Sequence, residues 1–372
     1  MTITECLNKY NIDINDAGWF FIDSLDFMTR EIKYALYQKF HFGKNFFGID
    51  KYKQEYVEIC GEENYNNIKQ NCNAKFIEQK IKELGTIKFI SINNENFPEK
   101  MKNAEIVFIF YYKGNLSLLN SRCMYIANTR NHSPYAVKII NTYLPKLALT
   151  ELNFILGIND GLDMLCHTTL KNSGKKIIAI TYNGFNKSIP AHNRKKLVDI
   201  VKNDGLIISA MPPNVSWKGN LSITIMNDLI LSACVAGFIA EGTSASGIYH
   251  LVSQNEQLYQ GLSFYTVPGN IGVDTSVLPN VLIKEKLANI SLDPIDIIDD
   301  LNLSYIKKNE QEVNFSEDEL LVLNAFEKEQ LVSFNFLLEQ TKLSAPKLLS
   351  TLTILTIKKK LSKLAGNMYS KI

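Results

Sequence analysis

The chain has no Cys-x-x-Cys pair. Its six cysteines (Cys6, Cys60, Cys72, Cys123, Cys166, Cys234) are scattered, mostly in apolar surroundings. This argues against a zinc site and a disulfide framework and leaves them as reduced core residues. Charge of one sign is also lacking: a formal net charge of +2 gives no global basic field, so a nucleic-acid site has to be a local patch. Long apolar runs are missing. The longest, Leu229 to Ala240, falls well short of the roughly 20 residues that a membrane span requires. The opening segment carries Glu5, Asp13 and Asp16 and no apolar stretch of the secretory-signal type. These absences lead to the expectation of a cytoplasmic protein with no membrane association. Internal repeats and low-complexity tracts are absent too, which sets aside solenoids and disordered scaffolds.

What is present is the material of a packed globular chain. Hydrophobic residues make up 46% and charged residues 21% of 372, a length that favours two or three domains. Residues 1–80 are rich in Tyr, Phe, Asn, Lys and Glu, with few glycines and helically spaced apolar positions in Asp26–Phe40 and Tyr56–Lys80, which predicts a small helical module. From Thr86 the texture changes to short β-rich runs separated by helix-length stretches. The predicted strands are Thr86–Ile92, Val107–Tyr112, Cys123–Ala127, Asn153–Leu156, Lys176–Thr181, Gly205–Ser209, Ala236–Ala240 and Ser263–Val267. Amphipathic segments at Tyr135–Leu147, Gly161–Ser173 and Arg194–Asp204 are long enough for right-handed crossovers. The alternation predicts an α/β core over 81–300 with a Rossmann-like, doubly wound, mainly parallel sheet. A charged, polar stretch at 301–315 reads as a linker. Beyond it, Ser316, Ser333 and Ser344 each precede a helical segment, and Lys358–Tyr369 reads as a hairpin, so 316–372 is expected to be a winged helix.

Ligands of such a sheet bind at the carboxyl ends of the strands. Here those ends carry Asn128, Thr129 and Arg130; then Gly157, Asn159, Asp160 and Gly161; then Asn183 and Gly184; then Glu241 followed by Gly242, Thr243 and Ser244; and finally Gly269 and Asn270 after Pro268. Glycines allow close backbone approach, and exposed N–H groups converging on one groove would cradle phosphate.

These motifs, with Phe97-Pro98, Tyr112-Lys113-Gly114-Asn115, Ala127-Asn128-Thr129-Arg130, Gly157 through Asp163 with His167, Asn183-Gly184 with Pro190 and Asn193, and Val267-Pro268-Gly269-Asn270, resemble the DprA/Smf family over roughly residues 95 to 300. The resemblance implies a single-stranded DNA-binding protein that protects DNA and helps load a RecA-type recombinase, working as a homodimer, without enzymatic activity or cofactor. It also implies a small helical, SAM-like module at the N-terminus. By position it points to Arg130 as a phosphate contact, to Asn193 with Arg194 or Lys195 at the groove, and to Gly157, Asp163 and His167 as residues that shape the fold.

The chain departs from the family pattern at three places. Asn128 stands where a glycine is usual, Ser209-Ala210-Met211-Pro212 replaces a Ser-Glu-x-Pro turn, and the Arg-Asn-Arg signature is Met226-Asn227-Asp228. Lost phosphate contacts weaken a counterion-release term, and an aspartate adds repulsion. Lys187, Arg194, Lys195, Lys196 and Lys218 are candidates to compensate, and Tyr182, Phe185 or Trp217 to stack on bases. His167 and Asp163 lie four apart on a helix, an acid/base spacing; the structural alternative, a braced turn with a hydrogen-bonded histidine, is the reading favoured here. Two other classes of function compete. One is a nucleotide sensor or phosphoribohydrolase-like enzyme suggested by Glu241-Gly242-Thr243, although Ser244, Ala245 and Ser246 supply no carboxylate. The other is an assembly protein that has exchanged DNA for a protein partner.

Overall fold

Where the sequence alternates β-branched runs with amphipathic stretches, the computed structural model forms one large sheet covered by helices. The structure describes residues 1–104, 106–187, 191–216, 219–259, 261–306, 315–326, 331–357, 360–364 and 366–371, the side chains of 191, 192, 258, 259, 357 and 371 excepted. It divides into two compact units, 1–306 and 307–372.

The first unit opens with α1 (Ile3–Tyr10), α2 (Ile14–Asp23), α3 (Arg30–Lys39), α4 (Lys53–Asn71) and α5 (Ala74–Leu84). Thr2, Asp13, Thr29 and Asn73 cap four of them by accepting from backbone N–H groups of the first turn. Strands β1 (Lys88–Ser91) and β2 (Ile109–Gly114) follow, with α6 (Glu99–Ala104) between them. The helices do not close a core of their own. Trp19, Phe20, Phe21 and Phe46 pack in one cluster with Ile87, Ile109 and Tyr111 at the sheet edge. Buried Asp16 joins α2 to β1 by accepting from Ser91 N–H at 3.1 Å and Ser91 Oγ at 2.5 Å.

The central elements are β3 (Cys123–Ala127), α7 (Pro134–Leu147), β4 (Asn153–Leu156), α8 (Leu162–Asn172), β5 (Ile177–Ile180), α9 (Ala191–Lys202), β6 (Leu206–Ser209), α10 (Asn220–Ala233), β7 (Ala236–Ile239), α11 (Ile248–Gln254), β8 (Ser263–Thr266), α12 (Val277–Lys284), β9 (Asn289–Ile290) and α13 (Pro294–Asp300). The sheet order is β1-β2-β6-β5-β4-β3-β7-β8-β9. From β6 to β9 every pairing is parallel. The chain winds outward from β3 to β6, returns beside β3 as β7, and continues to β9. The reversal between β3 and β7 is the switch point of a doubly wound sheet. Two apolar layers cover its faces, one including Met226, Leu229 and Leu251 from α10 and α11, the other Ile140, Cys166 and Leu197 from α7, α8 and α9.

All eight strands expected from the sequence form, with three corrections. The pairs β1–β2 and β2–β6 are antiparallel, because residue type does not encode strand direction. The two-residue β9 had no apolar run to announce it, since both its residues are exposed. The run Leu229–Ala240 divides into the end of α10, a short connection and β7, all buried except the half-buried Val235, so no amphipathic period marks the boundary. The first part of the expected linker is docked: Glu151 N–H donates to Ser304 O at 3.0 Å and Ile306 N–H to Leu149 O at 2.8 Å. Residues 307–314 lie outside the described part.

The second unit runs α14 (Glu317–Asn324), β10 (Leu331–Ser333), α15 (Phe334–Thr341), α16 (Ala345–Ile357), β11 (Leu361–Leu364) and β12 (Met368–Lys371), with strand order β10-β12-β11. Ser316 and Ser333 cap their helices as the sequence suggested. The hairpin is β11–β12. The core gathers Val322, Leu337, Leu348, Leu352, Leu355 and Tyr369.

Among the described residues no helix is long and apolar enough to cross a membrane, and no cluster of His, Cys, Asp and Glu could hold a metal. Five of the six cysteines are buried and all six are free.

Candidate functional site

At the carboxyl ends of β3, β4 and β5, beside the switch point, lies a cleft of about 630 Å3. Its polar lining is dominated by amides: Asn128 after β3, Asn159 after β4, Asn183 after β5, Asn193 on α9 and Asn227 on α10. Tyr125, Tyr182, Ile223, Ile230, Ile248 and Leu251 form the apolar part. Burial pushes the phenol pKa of Tyr125 and Tyr182 upward, so both stay neutral hydrogen-bonding groups. Arg130 is the cation among the described lining residues, against Asp160 and Asp163. A cleft of this composition suits a neutral, hydrogen-bonding group with a flat apolar face better than a bare phosphate.

The β4–α8 loop forms one wall, and Asp163 holds it. Buried in the first turn of α8, its Oδ1 accepts from Asn128 Nδ2 at 2.9 Å and its Oδ2 from Asn159 N–H at 3.0 Å. Burial raises the Asp163 pKa, and those hydrogen bonds pull against the rise. Asn128 thereby supplies a side-chain donor to a carboxylate that needs one. His167 lies one turn on, and its Nε2 bonds Gly157 O at 3.0 Å. Burial lowers its pKa, so the ring is neutral and donates to that carbonyl. Gly157 faces Asp163 so closely that a Cβ would lie 2.5 Å from its Oδ2, and Gly161 takes φ +82° with a Cβ position 2.3 Å from Arg130 O. The hydrogen bonds of Asp163 and His167 thus go to Asn128, Asn159 and Gly157 of the neighbouring turns.

The structure brings Asn128, Arg130, Gly157, Asn159, Asn183, Asn193 and Asn227 together around the cleft. Lys195 lines a shallow groove next to it with Asp160, Met164, Lys196 and Asp199. Thr129, Lys187 and Arg194 are not among its lining residues, and Arg194 is exposed on α9. The glycine turns expected to cradle phosphate are spent on packing. Gly184 N–H donates to Val215 O at 2.9 Å, Gly242 N–H to Thr275 O at 2.8 Å and Gly269 N–H to Asn280 Oδ1 at 3.1 Å. Gly242 lies against Leu278 and Gly269 against Ser276, while Thr243, Ser244 and Asn270 stay outside the cleft lining. Of the stacking candidates, Tyr182 faces the cleft. Phe185 packs into the core near the N-terminal helices, with Lys113 Nζ 5.7 Å from its ring centroid. Lys218, Trp217 and Pro190 lie outside the described residues, as does the side chain of His192.

The apolar wall of Ile223 and Ile230 on α10 and of Ile248 and Leu251 on α11 is not among the site residues expected from the sequence: α10 was not among the expected helices, and no residue of the helix after Gly247 was singled out. Glu241, in the suspected phosphate loop, is buried. Its carboxylate accepts from Ser133 N–H at 3.0 Å, from Ser133 Oγ and from Thr275 Oγ1 at 3.1 Å. It fastens the start of α7 and is not turned toward a ligand, which disfavours the hydrolase alternative.

At the altered signature, Met226 is buried in the core and Asn227 lines the cleft. Asp228 is buried and paired with Arg30 of α3.

Fold and cleft together define a Rossmann-like protein with a cleft at the switch point of a mainly parallel sheet. The model of the family described as DNA recombination-mediator protein A matches residues 88–302, and the chain belongs to that family, in keeping with the motif resemblance. It is 23% identical over 296 residues to protein Smf of Borreliella burgdorferi, covering 78% of this chain and 90% of that one. It is 22% identical over 187 residues to DNA processing protein DprA of Bacillus subtilis, covering 50% of this chain and 62% of the relative. The solved structure of DNA processing protein A from Streptococcus pneumoniae shares the fold at a TM-score of 0.54 and 22% identity, over 68% of this chain and 92% of the other.

Proposed function

We propose that the strand-end cleft binds single-stranded DNA and that the protein acts as a recombination mediator with a RecA-type recombinase as partner. The observation that carries this reading is the amide-lined cleft with Tyr182 at the switch point of a chain in this family. Asn side chains offer donors and acceptors to a base edge, and the aromatic and aliphatic wall offers it a stacking surface. Phosphates then run along the rim, where Arg130, Arg194, Lys195 and Lys187 are the proposed contacts. The weak net charge of the cleft makes this a lower-affinity site than one lined by arginines.

A labelled single-stranded oligonucleotide titrated at several salt concentrations tests the reading. Binding that weakens with salt is the expected result; its absence at low salt sinks the proposal. The homodimer is checked by sedimentation, and the recombinase by co-elution with and without DNA.

For the second unit we propose a winged-helix module, supported by the order helix, strand, two helices, two strands. Its α16 contains no Arg, Asn or Gln. The hydroxyls of Ser350, Thr351, Thr353 and Thr356 all donate back to carbonyls of their own helix. A base-reading helix needs outward donors and acceptors, so we assign DNA binding to the cleft. Replacing Lys360 and Lys363 with alanine is expected to leave oligonucleotide affinity within about twofold, a change at the edge of measurable free energy.

A further inference from the structure

Asp228 is 5% exposed at its side chain, and a buried carboxylate needs a cation or several donors. Its Oδ2 pairs with Arg30 Nη2 from the first turn of α3. Its Oδ1 accepts from Gln254 Nε2 at 2.6 Å. Gln254 Oε1 in turn accepts from Asn227 Nδ2 at 3.1 Å. Gln254 ends α11, and Asn227 lines the cleft. An unbroken chain of polar contacts therefore runs from the N-terminal helices to the cleft wall.

The direction of each link follows from the first. An ionised carboxylate only accepts and a guanidinium only donates. With Arg30 keeping Asp228 ionised, Gln254 must turn its NH2 group to Asp228 and its oxygen to Asn227. Asn227 then gives one N–H of its NH2 group to Gln254, which fixes the orientation of the amide and keeps its Oδ1 available as an acceptor on the cleft wall. We propose that Arg30 is a positioning residue: through Asp228 and Gln254 it fixes the Asn227 amide with its acceptor oxygen toward the ligand, so that this point accepts from an N–H donor of a base edge. The proposal deepens the reading of the cleft as a single-stranded DNA site and rests on it for the identity of the ligand.

Two measurements on the full chain test it. The first uses the side-chain amide signals of Asn227 and Gln254 in labelled protein without DNA. Arg30→Ala is expected to move the Asn227 NH2 signals and speed their exchange with water, and Arg30→Lys to restore them. Gln254→Met breaks the chain in the middle without leaving an unpaired charge, and serves if Arg30→Ala does not fold. Arg122→Ala, at an ion pair on another edge, is the control. Asn227 signals unchanged in both Arg30→Ala and Gln254→Met would overturn the proposal. The second measurement is oligonucleotide affinity. Gln254→Met is expected to weaken binding about fivefold, the scale of one misdirected hydrogen bond, with the salt slope unchanged because no phosphate contact is lost. A slope made shallower by about one in Gln254→Met or Arg30→Lys would place phosphate at this point and overturn it. Failure of the wild-type protein to bind any oligonucleotide removes the proposed function, while the amide signals still decide the chain of contacts.

Discussion

Two buried aspartates flank the same cleft and are stabilised in opposite ways. Asp163, on the α8 side, has neutral partners, an asparagine amide and a backbone N–H, and burial raises its pKa. Asp228, on the α10 side, has a guanidinium brought from α3 and an amide from α11. The first arrangement is local, spanning residues 128 to 167, and shapes one loop. The second ties α3 to α10 and α11, with 198 residues between Arg30 and Asp228. One wall of the cleft is thus set by its own turn, and the other depends on whether the N-terminal helices are in place.

The sharpest way to break this contrast is to remove the long-range cation. Arg30→Ala leaves a buried carboxylate without the cation of its ion pair, and the expected loss is about 3 kcal/mol of unfolding free energy in a urea titration, the low end for such pairs because Arg30 itself is partly exposed. A loss below about 1 kcal/mol would show that the α10 wall does not depend on α3. Next comes Asp163→Ala, which strips the acceptor from Asn159 N–H and Asn128; about 2 kcal/mol is expected, with hydrogen exchange accelerated in the β4–α8 loop and not in α10. At the rim, Arg130→Ala is expected to weaken oligonucleotide binding about tenfold and flatten the salt slope by about one, without moving the thermal midpoint.

The smallest effect is a pH dependence. His167 is half-buried, and desolvation holds its pKa below the ordinary 6.5. As pH falls below that value the unfolded chain takes up a proton that the folded chain resists, so this residue costs stability in the window between 6.5 and its lower folded value. His167→Gln should remove that part of the acid-side decline, read as thermal midpoint against pH. Asp163 works in the other direction. Its raised pKa means the folded state binds the extra proton between the unfolded and folded values, so stability grows as pH falls through that range and Asp163→Asn should abolish the gain.

Much of the local wall was legible in the sequence. Gly157, Asn159, Asp163 and His167 lie within one strand–turn–helix unit, where spacing fixes which side chains share a face. The strand cores were legible too, because a fully buried parallel strand reads as a compact apolar run. The α10 wall was not. Met226-Asn227-Asp228 reads as the loss of two cations, and nothing within sequence reach of Asp228 shows that Arg30, 198 residues away, answers its charge. The glycine turns misled for a related reason. A glycine is needed wherever backbone approaches closely, and whether the neighbour is a ligand, Leu278 or the Pro212–Pro213 backbone depends on the assembled fold.

By itself, then, the sequence determined the family, the alternating β and α elements, the serine caps of the second unit and the shared face of Gly157, Asn159, Asp163 and His167, because each rests on neighbours a few residues apart or on periodicity along one element. Tertiary structure alone decided the antiparallel edge, the shape of the cleft, the burial of Glu241 and the pairing of Asp228 with Arg30. These depend on which surfaces meet across the sheet, and Coulomb and hydrogen-bond energies between such groups depend on distances through space and on burial, which separation along the chain does not give.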